Sequence, residues 1–202
     1  MRLLIGLEQE FFITGADGQL VITPDELPHD ECGLLAEARG LPFNSPEEAV
    51  FSLAADVYRL KMQAAKLQLT LSCSPSVMAI SRLMRQKAAR MYAKGQVKHE
   101  NIYGYEFHHN SASEQTAGIH ISFTNPQTFT YDATRSDTAN VMFDYVKIFT
   151  GLDAAFAQEI KDAKRNKGFY ELKFDGRIEY RSLPANADMN KIIEVLKKLT
   201  SQ

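Results

Sequence analysis

The chain has 202 residues, 45% of them hydrophobic, 24% charged and 10% aromatic, with a formal net charge of -2. That is enough chain for one domain with a sizeable core, and too apolar a composition for a disordered segment. The balance offers no basic field for nucleic acid, and no apolar run approaches the length of a membrane helix.

Two cysteines, Cys32 and Cys73, without any CxxC, suit a reduced, cytoplasmic setting. Cys73 reads as a small buried hydrophobe. The apolar stretch that ends at Glu8 is too short for a signal peptide.

In chain order, RLLIGLEQEFFI predicts a strand. Its period of two places Leu3, Ile5, Leu7, Gln9 and Phe11 on one face, and Leu4, Gly6, Glu8, Glu10 and Phe12 on the other. The two carboxylates then stand roughly 7 Å apart and repel by roughly 2 kcal/mol at an effective dielectric near 20, so positive charge or water is expected beside them. A turn over Gly15 to Gln19 returns LVIT as a hairpin partner. A polar loop follows, then LLAEARG as a short strand.

Ser45, Pro46 and Glu48 give the cap, first-turn proline and capping box of a helix whose core face is Val50, Leu53, Val57, Leu60, Ala64 and Leu67. A second helix is expected from near Pro75 towards Gly95. IYGYEFHHN and AGIHISFTN read as strands joined by the polar stretch Ser111 to Gln115. A long helix is expected over about Asp137 to Lys164, with Gly151 as a point of interruption. GFYELKF and RIEYRSLP form a hairpin around a type I′ turn at Asp175-Gly176, and MNKIIEVLKKLT closes the chain as an amphipathic helix. Without repeat or linker, residues 1–202 read as one α+β domain.

Several strands share the alternation of the first. His120, Ser122 and Thr124 fall on one face of theirs, Glu179 and Arg181 with Arg177 on one face of theirs, and Glu37 with Arg39 on one face of theirs. One wet sheet face would explain any single strand. Together with Gly6, Gly33 and Gly118 beside the polar positions, they suit a phosphate and metal site. Carboxylates are Mg²⁺ ligands, arginines are forked phosphate donors, and a histidine can ligate or donate. No P-loop or dinucleotide fingerprint is present, so phosphates would be held by metal and arginine. His108 and His109 point opposite ways on a strand, and the basic run Arg82 to Lys98 reads as a solvated helix face.

The ordered set IGLEQEFFI, DECGLLAEARGLPFNSPEEAV, AGIHISF and GFYELKFDGRIEYRSLP resembles the phage-type carboxylate–amine ligases, within the glutamine synthetase and glutamate–cysteine ligase superfamily. The resemblance implies a mainly antiparallel sheet curved into a half barrel, with helices on the outer face. It implies that Glu8 and Glu10 bind Mg²⁺ and, through it, ATP. Glu37 with Arg39, and Asp30 or Glu31 before them, would sit near metal and the carboxylate substrate. His120 would lie beside the metals, Glu179 on metal, and Arg181 on the transferred phosphoryl group. Lys173 and Arg177 would help hold the phosphates.

The implied reaction converts a small-molecule or peptide carboxylate to an acyl phosphate and condenses it with an amine. Ser122 stands where relatives often have a second histidine, and Glu171 where a basic residue is expected. Two other readings follow: a non-catalytic binding module with the same cleft, or a phosphotransferase to a guanidino or amino group. A homodimer is one way in which a short chain completes an open cleft.

Overall fold

The computed structural model describes residues 3–30, 34–75, 78–79, 100–103, 114–124, 135–173 and 177–200. The described elements in chain order are β1 (Leu4–Thr14), β2 (Leu20–Val21), β3 (Ala36–Arg39), α1 (Pro46–Lys66), β4 (Thr70–Ser72), β5 (Met78–Ala79), β6 (Glu100–Asn101), β7 (Glu114–Gln115), β8 (Gly118–Thr124), α2 (Arg135–Ala155), α3 (Ala157–Asp162), β9 (Phe169–Leu172), β10 (Ile178–Pro184) and α4 (Met189–Thr200).

Every described strand pairing is antiparallel. The main sheet runs β2-β1-β8-β10-β9-β6, with β3 and β4 also paired to β1, while β5 and β7 form a separate ribbon. β1 is long enough to serve four neighbours: β8 and β3 along its first part, β2 and β4 at its end.

The alternation of β1 divides the molecule. Ile5, Leu7, Phe11 and Ile13 join Ile119, Ile121, Phe123, Ile178 and Tyr180 in one cluster with the helices. α1 contributes Leu53, Leu60 and Ala64, α2 contributes Phe149 and Leu152, and α4 contributes Ile192 and Leu196. Phe149 is the hub, its ring centroid 5.2 Å from Tyr180, 6.0 Å from Phe123 and 6.0 Å from Tyr170. Each such side chain contributes about 1.5–3 kcal/mol by leaving water. The fold is therefore α+β: an open antiparallel sheet whose apolar face is covered by helices. On the opposite face, Phe12 packs with Leu34, Leu35, Ala117 and Ala185 in a second, smaller cluster.

The α1 start follows the expected chemistry with one change. Ser45 Oγ accepts from the Glu48 N–H at 3.4 Å, but donates to the Glu47 carboxylate at 2.9 Å. The long helix breaks at Phe156, whose ring is fully buried, and not at Gly151. Gly151 stays helical because Leu199 fills its side-chain space: a Cβ there would lie 2.6 Å from Leu199 Cδ2. Buried Asp153 on α2 accepts from Tyr180 OH at 2.6 Å and Tyr103 OH at 2.8 Å, which satisfies its charge within the core.

Other expectations change as well. Met78–Ala79, inside the expected second helix, is a strand paired with Glu114–Gln115, which was expected to be a connection. Main-chain pairing of two-residue strands leaves no side-chain period to read. The rest of that helix, at 80–95, and the strand residues 104–110, with both adjacent histidines, lie outside the described residues, and Ile102 and Tyr103 form a turn.

The turn expected at Asp175-Gly176 lies outside the described residues, but the register of the strands that flank it differs from the expected one. Lys173 N donates to Arg177 O and Glu171 pairs with Glu179, leaving three residues between the paired ends. A two-residue turn would shift the register by one and set Glu171 and Glu179 on opposite faces. Cys73 is exposed, just beyond an edge strand, and is not a core residue. Among the described residues, no helix is long and apolar enough to cross a membrane.

Candidate functional site

The charged face is assembled by register. Antiparallel pairing sets Glu8 opposite both His120 and Arg39, Glu10 opposite Glu37, Ser122 opposite Gly6 and Glu179, and Glu179 opposite Glu171. Residues paired across strands share a face, so one antiparallel register brings charges from five strands together.

His120 lies at the centre and is 2% exposed. Its Nδ1 is 3.6 Å from Glu179 Oε1 and 3.8 Å from Glu8 Oε2, and its Nε2 is 3.6 Å from Glu10 Oε1. Nδ1 makes no hydrogen bond. Burial, with the Arg181 charge next, holds the imidazole well below its ordinary pKa. Neutral imidazole is the form that ligates a metal.

Burial also governs the carboxyls. It pushes Glu10 up to about 8, against the pull of Arg181 and Arg165. It pushes Glu37 up to about 7, helped by a hydrogen bond with the Glu8 carboxyl and opposed by Arg39, whose Nη2 donates to Glu37 Oε2 at 2.7 Å. Burial acts the same way on Glu179, but the groups facing it win and hold it below its ordinary value. Among these are Arg181 Nη1 at 2.6 Å and Lys173 Nζ at 3.5 Å. Arg181 Nη1 also donates to Glu171 at 2.7 Å, and Lys173 Nζ to the same oxygen at 3.0 Å.

A β-bulge positions Arg181. Tyr180 pairs with Ile121 and Leu183 with Ile119, so β10 carries two residues, Arg181 and Ser182, where β8 has only His120. The extra residue lets Arg181 share the face of Glu179 while Leu183 still returns to the apolar core.

Arg165, just beyond α3, braces this bulge. Its Nε donates to Ser182 O at 3.2 Å, its Nη2 to Arg181 O at 2.5 Å and its Nη1 to Thr116 Oγ1 at 3.2 Å. Burial brings its guanidinium down to about 10. Its Nη2 would stand 2.3 Å from a Cβ on residue 118, so a side chain there would push the guanidinium off its partners, and the Gly118 N–H donates to Glu10 Oε2 at 2.7 Å. Sequence reasoning missed Arg165, which sits in the charged run DAKRNKG and looks like a solvated helix end.

Of the residues expected at the site, Glu8, Glu10, Glu37, Arg39, His120, Lys173, Glu179 and Arg181 are in contact with one another in this cluster. Arg177 stands at its edge, lining a pocket of about 50 Å³ with Gly6, Glu8 and Ser122. Ser122 Oγ donates to Glu179 Oε2 at 3.3 Å. Asp30 has a local role: Oδ1 accepts from Leu34 N at 2.9 Å and Leu35 N at 3.0 Å, which fixes the entry to β3. Glu31 lies outside the described residues.

One ligand atom from each of Glu8, His120 and Glu179 falls within 4.8 Å of the others. Ligands about 2.1 Å from one ion are at most about 4.2 Å apart, so shifts of about half an ångström would close the set around a cation. A buried imidazole nitrogen without a hydrogen bond, set among carboxylates, fits a divalent ion of the Mg²⁺ or Mn²⁺ type. Compared with protein-family models, curated proteins and solved structures, the chain matches none.

Proposed function

We propose that the protein is an ATP- and Mg²⁺-dependent ligase that joins a carboxylate to an amine, with the charged sheet face as its active site and the sheet curved as the half barrel of that ligase superfamily. One observation carries the reading. Glu8, Glu10 and Glu179 converge on His120, with Glu37, Arg39 and Arg181 beside them, on the sheet face opposite the helices.

In this reading Glu8, His120 and Glu179 hold the divalent cation, with Glu10 and Glu37 beside them. The cation supplies positive charge at the phosphate oxygens of ATP. Arg181 turns from Glu171 and Glu179 towards the γ-phosphoryl group, and Arg39 meets the substrate carboxylate. Lys173 and Arg177 reach the outer phosphates.

The substrate carboxylate oxygen attacks the γ-phosphorus, and the bond to the bridging oxygen breaks with ADP leaving. The amine nitrogen then attacks the acyl carbon, inorganic phosphate leaves, and the amine proton passes to a nearby carboxylate or to water. Positive charge around a phosphoryl group in transit lowers the barrier because it meets the charge that builds on the phosphoryl oxygens.

A second reading has its own observation. Arg181 and Lys173 already neutralise Glu171 and Glu179, as in a binding module that keeps the cleft without turnover. ADP release from MgATP in the presence of mixed carboxylates and amines decides between them. The ligase reading expects ADP and an amide in equal amounts, both lost in Glu8→Gln and Glu179→Gln. Nucleotide binding without ADP supports the module. A phosphorylated amine or guanidine without amide supports a phosphotransferase. No effect of Mg²⁺ or ATP on the protein overturns all three.

A further inference from the structure

The apolar face of the sheet is covered by α1, α2 and α4, yet α1 carries a second apolar stripe that nothing described covers. Phe51 is 77% exposed, Tyr58 65% and Met62 48%. In a helix of 3.6 residues per turn these three lie on one line, with Ala55 between them, on the side opposite buried Leu53, Leu60 and Ala64. A pocket of about 340 Å³ lies along the flank of this stripe, lined by Val50, Ala54, Val57, Tyr58 and Met189 among others. Soluble domains seldom leave three large apolar side chains in line on one helix without a partner.

The charges on α1 say which partner fits. Glu47 and Glu48 stand at the start of the helix, and Arg59, Lys61 and Lys66 fill its second half. An antiparallel copy of the same helix reverses that order. A two-fold axis passing between Asp56 and Val57 sets Phe51 against the partner's Met62 and Ala55 against the partner's Tyr58. The same axis keeps each flank of the stripe on its own side, and so sets Glu48 beside the partner's Lys66. The stripe is thus complementary to itself in both shape class and charge, which is the requirement of an isologous interface.

We propose that α1 is a dimer interface, packed antiparallel against α1 of a second copy. α1 covers the apolar side of the sheet, so this pairing leaves the two charged faces on the far sides of the dimer. Each copy keeps its own site, and neither completes the other's. Two helices in contact make a small interface, and micromolar association is expected.

The test is sedimentation equilibrium of the full chain from about 1 to 200 µM. The wild type should pass from monomer to dimer across that range. Phe51→Ser with Tyr58→Ser should sediment as monomer, with the wild-type melting temperature at about 1 µM, where the wild type is monomeric too, since both rings are exposed.

Charge reversal makes the test independent of those rings. Glu48→Lys alone and Lys66→Glu alone should each weaken self-association about tenfold, because each sets like charges together twice across the axis. Mixed in equal amounts, the two variants should associate as tightly as the wild type, since both contacts again join opposite charges. Glu48 also stands in the first turn, where negative charge favours the helix, a loss confined to the first variant, so the mixture and not either variant alone is decisive. A monomeric wild type at every concentration, a dimer that survives Phe51→Ser with Tyr58→Ser, or a mixture no tighter than its parts would overturn the proposal.

Discussion

His120 Nδ1 stands 3.6 Å from Glu179 Oε1, close enough to attract and too far to hydrogen-bond. A buried ring nitrogen left in that position costs about 1–3 kcal/mol of unrecovered desolvation. A cation between it and the flanking carboxylates would remove the cost.

Metal binding should therefore be visible in stability. At about 100 times its dissociation constant, Mg²⁺ or Mn²⁺ should add about 2.7 kcal/mol, or roughly 5–10 °C in melting temperature for a chain of this size. The shift should vanish in His120→Ala and return to zero in wild type with excess chelator. An equal shift in His120→Ala would move the cation elsewhere.

Removing Glu179 should be costly without any ligand present. Arg181, partly buried, donates to fully buried Glu179 at 2.6 Å and to Glu171 at 2.7 Å. Glu179→Ala leaves that guanidinium short of counter-charge, and breaking a buried pair on one side costs about 3–5 kcal/mol. Chemical denaturation should show the loss, and Glu179→Ala with Arg181→Met should recover most of it.

Arg165 and Gly118 should behave as one unit. Gly118→Ala drives a methyl group into the guanidinium, while Arg165→Ala removes three hydrogen bonds from the bulge and Thr116. Each change should cost about 2–4 kcal/mol. The double variant should cost clearly less than the sum, because the methyl group then has room. Strict additivity in denaturant titrations would show that the two do not share a space.

Asp30 provides a pH-dependent term. Burial raises its pKa above 3.8, against the pull of the Leu35 and Leu34 amides. The folded state therefore holds a proton that the unfolded chain gives up. That contribution is complete below pH 3.8 and is lost as pH rises through the folded value. Asp30→Asn keeps an acceptor for both amides and removes the charge. Its stability relative to wild type should rise with pH across the acidic range and then level off. A difference that does not change with pH would remove Asp30 as the source.

The period-two alternation in the strands around Glu8, His120 and Glu179 was enough to assign these residues, with Glu10, Glu37, Arg39 and Arg181, to the polar faces of their strands. Side-chain direction in a strand is a local property, so the amino-acid order carries it. The helix at Met189 and the core face of α1 were legible for the same reason, except that Leu67, expected in that face, caps the helix and is 41% exposed.

Which strands meet, and in what register, is not local. The pairing of Glu8 with His120 and the three-residue connection at 174–176 follow from burying one continuous apolar face against the helices. So does the bulge at Arg181 and Ser182. Arg165 was illegible because its value lies in carbonyls of a strand 16 and 17 residues away. The break at Phe156 was hidden too, since it depends on where a ring finds space in the core and not on any helix-breaking residue. Chain order alone determined which face each charge occupies. Only the packed sheet decided that the charges converge, because convergence rests on contacts between segments that no local period describes.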